Sequence, residues 1–324
     1  MLANSGRWQN DRVAGRVICG RFVIVTLFSK VGMFDRFGVL IQYLLPKQRL
    51  TELAGSVARA KKGRMTSSFI RWFARKYGVD MNEAESADLE SYKTFNDFFG
   101  RPLRAGARPL AEADFVSPVD GAISQIGAID DHHILQAKGH RFTTTDLLGG
   151  DAALSAQFRH GSFANLYLSP KDYHRLHMPC TGRLTRMVYV PGSLFSVNPA
   201  TARGVRNLFA RNERVVCVFD SGEHGAFVMV LVGATIVGSM ETVWHGIVNP
   251  KRTGEVSAWD YASQPIVLEK GQEMGRFLLG STVILLFQQN SIVFNESWKP
   301  ERSVRLGEMM GNSPDPVAAG YTSA

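Results

Sequence analysis

The spacing of apolar and polar positions divides the 324-residue chain into three textures. Between residue 33 and Tyr77 the apolar residues recur at helical spacing. Residues 37–45 are apolar until Pro46, and Leu50, Leu53, Ala54 and Val57 then share one helix face. Phe69, Ile70, Trp72, Phe73 and Tyr77 follow, interleaved with Arg71, Arg75 and Lys76. Residues 79–110 are polar at first and then carry Phe95, Phe98 and Phe99, ending on Arg101-Pro102-Leu103 and Arg108-Pro109-Leu110. From about residue 115 short apolar runs alternate with Gly, Pro, Asp and Asn. This pattern predicts strands over 163–168, 184–190, 214–219, 226–232, 233–243 and 266–268.

The stretch 277–287 reads as one buried strand with Gly280-Ser281-Thr282 in its middle. Glycine inside a strand marks a bulge or a close approach to the backbone. A serine hydroxyl placed directly after the Gly280 carbonyl could attack that carbonyl if a base took its proton, because the step is intramolecular. Small residues that only permit tight packing are the plainer reading of the same tripeptide. The fold expected is α+β, with N-terminal amphipathic helices followed by a β-rich core that contains the Gly-Ser strand. Its expected divisions are an extension over 1–32, a helical region over 33–94, a β-rich domain over 95–310 and a polar tail over 311–324.

Charge changes the picture of the helical part. The formal net charge is +8, yet residues 1–80 carry 15 Lys/Arg against 4 Asp/Glu, while the other 244 carry 22 against 25. A basic N-terminal part suits a polyanionic surface. Aromatics beside Lys and Arg on a helix fit an anionic membrane interface; a helix packed on its own domain with a solvated basic face fits equally. No helix-turn-helix, RRM or zinc-finger pattern accompanies the charge, which argues against nucleic acid. The apolar run 22–28 lies between Arg21 and Lys30 and is too short to span a bilayer. No clean small-residue cleavage site follows it, so residues 1–32 are expected to be an unstructured or interfacial extension. Cys19, Cys180 and Cys217 are odd in number and widely spaced, which argues against a disulfide framework and a zinc site.

Candidate chemistry clusters in two further segments. In Ser117-Pro118-Val119-Asp120-Gly121 the carboxylate either completes a turn or orients a histidine. In 167–179, His174 and His177 lie three residues apart after a predicted strand. The H-E-x-x-H spacing is absent, so no metal is expected, and the pair suits acid–base work. His245 and the His132-His133 pair read as structural.

Four segments, taken in order, then carry a resemblance. They are Ser-Pro-Val-Asp-Gly at 117–121, Tyr-Leu-Ser-Pro-Lys-Asp-Tyr-His-Arg-Leu-His-Met-Pro at 167–179, Pro-Gly-Ser-Leu-Phe-Ser-Val-Asn at 191–198 and Leu-Gly-Ser-Thr at 279–282. With 209–214 and 238–243, this set resembles the bacterial membrane-bound type of phosphatidylserine decarboxylase, over about residues 38–306. The resemblance implies a proenzyme that cuts itself between Gly280 and Ser281. Asp120, His177 and Ser281 would act like a serine-protease triad, with Asp120 holding the imidazole and His177 taking the Ser281 proton. Ester formation and β-elimination would leave a β-chain, 1–280, and an α-chain, 281–324, whose first residue becomes a pyruvoyl group. That group would form a Schiff base with the lipid amine and act as an electron sink while CO₂ leaves, giving phosphatidylethanolamine. His174 would handle the carboxylate or the returning proton. The expected partners are phosphatidylserine, an anionic membrane surface and the two cleavage products of the chain, paired as a homodimer, with no nucleic acid. The expected location is peripheral, on the cytoplasmic face of the cell membrane. Residues 1–32 precede the family pattern, and Met33 is an alternative start. Two other readings predict an intact chain: a serine hydrolase using Ser281, His177 and Asp120 on an external ester, and a non-catalytic lipid-binding β-domain.

Overall fold

The computed structural model describes Gln42 and residues 46–61, 63–137, 139–235, 239–248, 254–278 and 282–314. The readings of residues 1–41, of Gly280 and Ser281, and of 315–324 fall outside these.

The N-terminal part contains helices α1 (Lys47–Arg59) and α2 (Arg64–Tyr77). α2 stops at Gly78, whose left-handed φ of +67° suits a residue without a Cβ. It buries Ile70, Phe73 and Ala74. A short helix, α3 (Phe95–Phe99), packs against that face. Thr94 and Asp97 close its N-terminus by each accepting the other's backbone N–H at 3.0 Å. The Phe73 ring meets Phe95, Phe98 and Phe99 with centroids 5.0, 6.1 and 6.1 Å away. The apolar stripe predicted for α1 points outward: Leu53 is 64% and Val57 55% exposed, while Thr51 and Ala58 are buried. Among the described residues no helix is long and apolar enough to cross a membrane.

The strands that build the core are β1 (Gly121–Ala128), β2 (Ser162–Tyr167), β3 (Arg175–His177), β4 (Gly182–Val190), β5 (Arg214–Asp220), β6 (Ala226–Val232), β7 (Met240–Thr242), β8 (Glu273–Phe277) and β9 (Thr282–Phe287). Among the described residues one antiparallel sheet of nine strands dominates. Its order is Ser257–Asp260, β4, β5, β6, β9, β2, β1 and Ser303–Val304, with Val267–Leu268 also on β4. β9 lies inside it, paired with β2 on one side and β6 on the other. Side chains alternate across a strand. Val283, Leu285 and Phe287 therefore enter one apolar cluster with Met229 and Leu231. Ile284 and Leu286 enter a second cluster on the opposite face with Val228 and Val230. Both faces are covered, which explains why β9 reads as a continuous apolar run instead of an alternating one.

The structure divides the predicted strand 277–287. Phe277 ends β8, in a separate four-stranded sheet ordered Gly246–Ile247, β7, β8, β3, and Thr282 begins β9. Both flanks are buried, so hydrophobicity carries no mark of the change of sheet. Of the predicted strand 233–243, Met240–Thr242 form β7, and residues 236–238 fall outside the described ones. At the other end, strand Met309–Asn312 pairs with Phe115–Val116 and Val293–Phe294, two residues into the predicted tail. Asn312 Oδ1 accepts the Asp114 N–H at 3.0 Å, and Asp114 Oδ2 accepts the Ser313 N–H at 2.8 Å.

Candidate active site

Strand register brings the sequence motifs to one end of the large sheet. Thr282 pairs with Tyr167, and Tyr167 pairs with Ala122, so the start of β9 and the Asp120-Gly121 turn lie on one row. That approach is close. A Cβ at Gly121 would lie 2.5 Å from the Tyr167 carbonyl oxygen, so only glycine fits after Asp120. β3 enters from the smaller sheet. His177 donates its N–H to the Pro118 carbonyl at 3.0 Å, and the Phe277 N–H donates to the His174 carbonyl at 3.0 Å. The chain on both sides of the Gly280-Ser281 step is thus tied to the elements that carry Asp120, His174 and His177.

His177 has both ring nitrogens engaged. Nδ1 is 2.8 Å from the Gly271 carbonyl, which can only accept, so Nδ1 carries the proton. Nε2 then presents its lone pair to the Tyr173 hydroxyl at 3.1 Å. Burial lowers the pKa of His177 and outweighs the Gly271 carbonyl and the charges of Glu273 and Asp120, which raise it. The ring is therefore neutral at neutral pH, with its basic nitrogen on the Tyr173 side. Burial holds the Tyr173 phenol well above its ordinary range, so its proton stays on.

His174 is fully buried. Nδ1 donates to the Asp172 carbonyl at 2.8 Å, and Nε2 is buried without a hydrogen-bond partner among the described residues. The ring lies 4.0 Å, centroid to centroid, from Phe99 of α3. Burial pushes its pKa down to about 3.

Asp120 has different partners from those expected of it. Arg108 grips the carboxylate with two hydrogen bonds, from Nε at 2.9 Å and Nη2 at 2.5 Å, and the Leu306 N–H adds a third at 2.8 Å. Arg108 Nη2 also reaches Glu83 at 2.6 Å, and Glu83 in turn pairs with Arg305 at 2.9 Å. The two carboxylates hold the Arg108 pKa far above its ordinary value. The bond that orients the His177 ring therefore comes from the Gly271 carbonyl; Asp120 acts on His177 as a nearby negative charge.

A cavity of about 840 Å³ opens beside this network. Arg101, Arg108, Asp120, Tyr167, Lys171 and Tyr173 line it. Of the contributors that sequence reasoning left without a role, Tyr173 lies inside the histidine segment, and Arg101 and Arg108 carry the doubled Arg-Pro-Leu. Gly271 has no local signal, since it sits 94 residues from His177.

A family model described as phosphatidylserine decarboxylase matches residues 95–312, and a second, described as PSD, matches residues 37–78. The phosphatidylserine decarboxylase proenzyme of Azoarcus sp. (strain BH72) is 67% identical over 280 residues, covering 86% of this chain and 97% of the relative. The proenzyme of Dechloromonas aromatica (strain RCB) is 64% identical over 281 residues, covering 87% and 99%. That of Variovorax paradoxus (strain S110) is 65% identical over 280 residues, covering 86% and 99%. With a family model over more than half of its length and such relatives matched nearly end to end, the chain belongs to the phosphatidylserine decarboxylase family.

Proposed function

We propose that this chain cuts itself between Gly280 and Ser281, and that Ser281, His177 and Asp120 carry out the cut. The activity it serves is decarboxylation of phosphatidylserine to phosphatidylethanolamine, and the cofactor is a pyruvoyl group that the proenzyme makes from itself. The observation that carries the residue assignment is the state of His177. Its Nδ1–H is committed to Gly271, which leaves Nε2 as a neutral base. It takes the Ser281 hydroxyl proton, and the oxygen attacks the Gly280 carbonyl carbon. Asp120, fixed by Arg108, stabilises the imidazolium through space, and the Tyr173 hydroxyl holds the ring until the proton moves.

The residues around the step fit a pyruvoyl group. Thr282 Oγ1 and His174 Nε2 are both buried without hydrogen-bond partners among the described residues. When present, the group supplies an electrophilic carbonyl and a sink for the electrons released with CO₂. His174, neutral and shielded, is the residue we assign to the substrate carboxylate or the proton that replaces it.

The helices give this chemistry a surface. Phe69, Trp72 and Met65 on α2 and Leu53 and Val57 on α1 are exposed, beside Arg71, Arg75 and Lys76. Lys76 Nζ sits 4.7 Å over the Trp72 ring. We assign this face to peripheral docking on an anionic leaflet, and a homodimer of the paired cleavage products to the working form.

The test is the intact mass of the purified chain under denaturing conditions. Two fragments meeting at Gly280 and Ser281, the smaller one blocked by a ketone in place of its amine, are expected, with Ser281→Ala remaining whole. A wild-type chain that stays in one piece and still cleaves simple esters would favour the serine-hydrolase reading instead.

A further inference from the structure

Arg101 follows α3 and is 3% exposed. Its guanidinium donates one hydrogen bond, from Nη2 to the Lys171 carbonyl at 3.3 Å, and lies 5.5 Å over the Phe98 ring. Nε and Nη1 are buried without a hydrogen-bond partner among the described residues. The carboxylates nearby are engaged elsewhere. Asp120 is held by Arg108 and the Leu306 N–H, Glu83 by Arg108 and Arg305, and Asp172 by the N–H and hydroxyl of Ser169. A guanidinium taken out of water without a counter-charge destabilises the fold. Its two unpaired donors point to an anion that the described residues do not supply. Arg101 lines the 840 Å³ cavity with Asp120, Tyr167 and Tyr173; its Nε and Nη1 are closed to solvent, so a ligand in the cavity meets them once the side chain shifts.

Resting on the reading of the chain as a phosphatidylserine decarboxylase, we propose that Arg101 binds the phosphodiester of the lipid through Nε and Nη1. The substrate offers two anions, and physical chemistry chooses between them. The carboxylate charge is lost during the reaction, so a guanidinium fixed on it would stabilise the ground state more than the transition state and slow the enzyme. The phosphodiester keeps its charge throughout, and binding it costs nothing at the chemical step. Position agrees. Arg101 lies between the aromatic cluster of α2 and α3, whose outer face exposes Phe69 and Trp72, and the loop of Lys171 and His174. A lipid with its tails at the helices and its amine at the cleaved strand passes its phosphodiester through this point.

The experiment uses the full chain with Arg101→Gln and Arg101→Lys, and dihexanoyl phosphatidylserine as a soluble substrate. Both variants should mature into the two fragments, since self-cleavage involves no lipid. Arg101→Gln should raise KM about tenfold or more, the loss of a charge-assisted pair, with a much smaller change in kcat. Arg101→Lys should fall between, because an ammonium keeps the charge and loses the fork. Dihexanoyl phosphatidylethanolamine, which has the phosphodiester and lacks the carboxylate, should lose potency as an inhibitor by the same factor as KM rises. In the uncleaved Ser281→Ala background, Arg101→Gln should melt no lower than its parent, because it removes an unpaired buried charge. A rise in KM with inhibitor potency unchanged would move Arg101 to the carboxylate and overturn the proposal, as would matured variants with unaltered KM. Failure of both variants to mature, or a lower melting point, would make Arg101 a structural residue and overturn it too. A parent chain that neither cleaves nor releases CO₂ would instead defeat the decarboxylase reading.

Discussion

His174 and His177 share one short segment and meet different surroundings. The first is sealed against Phe99 with a bare Nε2; the second is braced between Gly271 and Tyr173. Burial lowers both pKa values, and this has two consequences for pH. The base we propose, His177, must be neutral to act, and its pKa lies below the ordinary histidine value. The rate of fragment appearance should therefore be flat from neutral to mildly alkaline pH and fall only on acidification below about 6.5. A rate that still climbs above pH 7 would show that a different group limits the step. The stability effect has the same direction. Between the folded His174 value of about 3 and the unfolded value near 6.5, the unfolded chain binds more protons, so stability drops as pH falls through that window. At pH 5 the loss from His174 alone comes to about 2 kcal/mol. Denaturant titrations of the His174→Gln chain, beside its parent at pH 7 and pH 5, should show the parent losing that much more.

At the scale of elements, α2 separates two tasks on its two faces. Ile70, Phe73 and Ala74 anchor it to α3, so they hold structure. Met65 and Trp72 are 69% and 50% exposed, beyond what packing needs. Replacing both with serine should leave the melting temperature within a degree or two and weaken binding to vesicles containing anionic lipid by about tenfold, read by co-sedimentation. Unchanged sedimentation would remove the helix from the membrane contact. α2 also shows how far the sequence speaks. Its aromatic and basic residues are plain, but periodicity could not say which aromatics face the core. That depended on where α3 came to lie.

For the whole molecule, β9 is the strand that follows the proposed cut. It is buried on both faces and hydrogen-bonded on both sides, to β2 and to β6. A cut just ahead of Thr282 leaves it in place, because each neighbouring strand belongs to the larger fragment. The two fragments should co-elute as one species in size-exclusion chromatography and separate only in denaturant. Spontaneous separation in buffer would mean that β9 is not held as a central strand.

The sequence by itself determined the α+β class, the strongest strands, the basic and aromatic helices, and the ordered motifs that carry the family resemblance. These follow from local chemistry: side-chain period, charge, turn residues and short runs. Tertiary structure decided what depends on distant partners. Residues 277–279 and 283–287 are apolar alike, so only the packing of two sheets shows that the chain leaves one at Phe277 and joins the other at Thr282. Only the fold brings Gly271 to Nδ1 of His177, and only the fold gives Asp120 to Arg108 and Leu306. Arg101 is one arginine among many in the sequence. Two buried donors without a hydrogen-bond partner among the described residues single it out, and burial is a property of the folded chain.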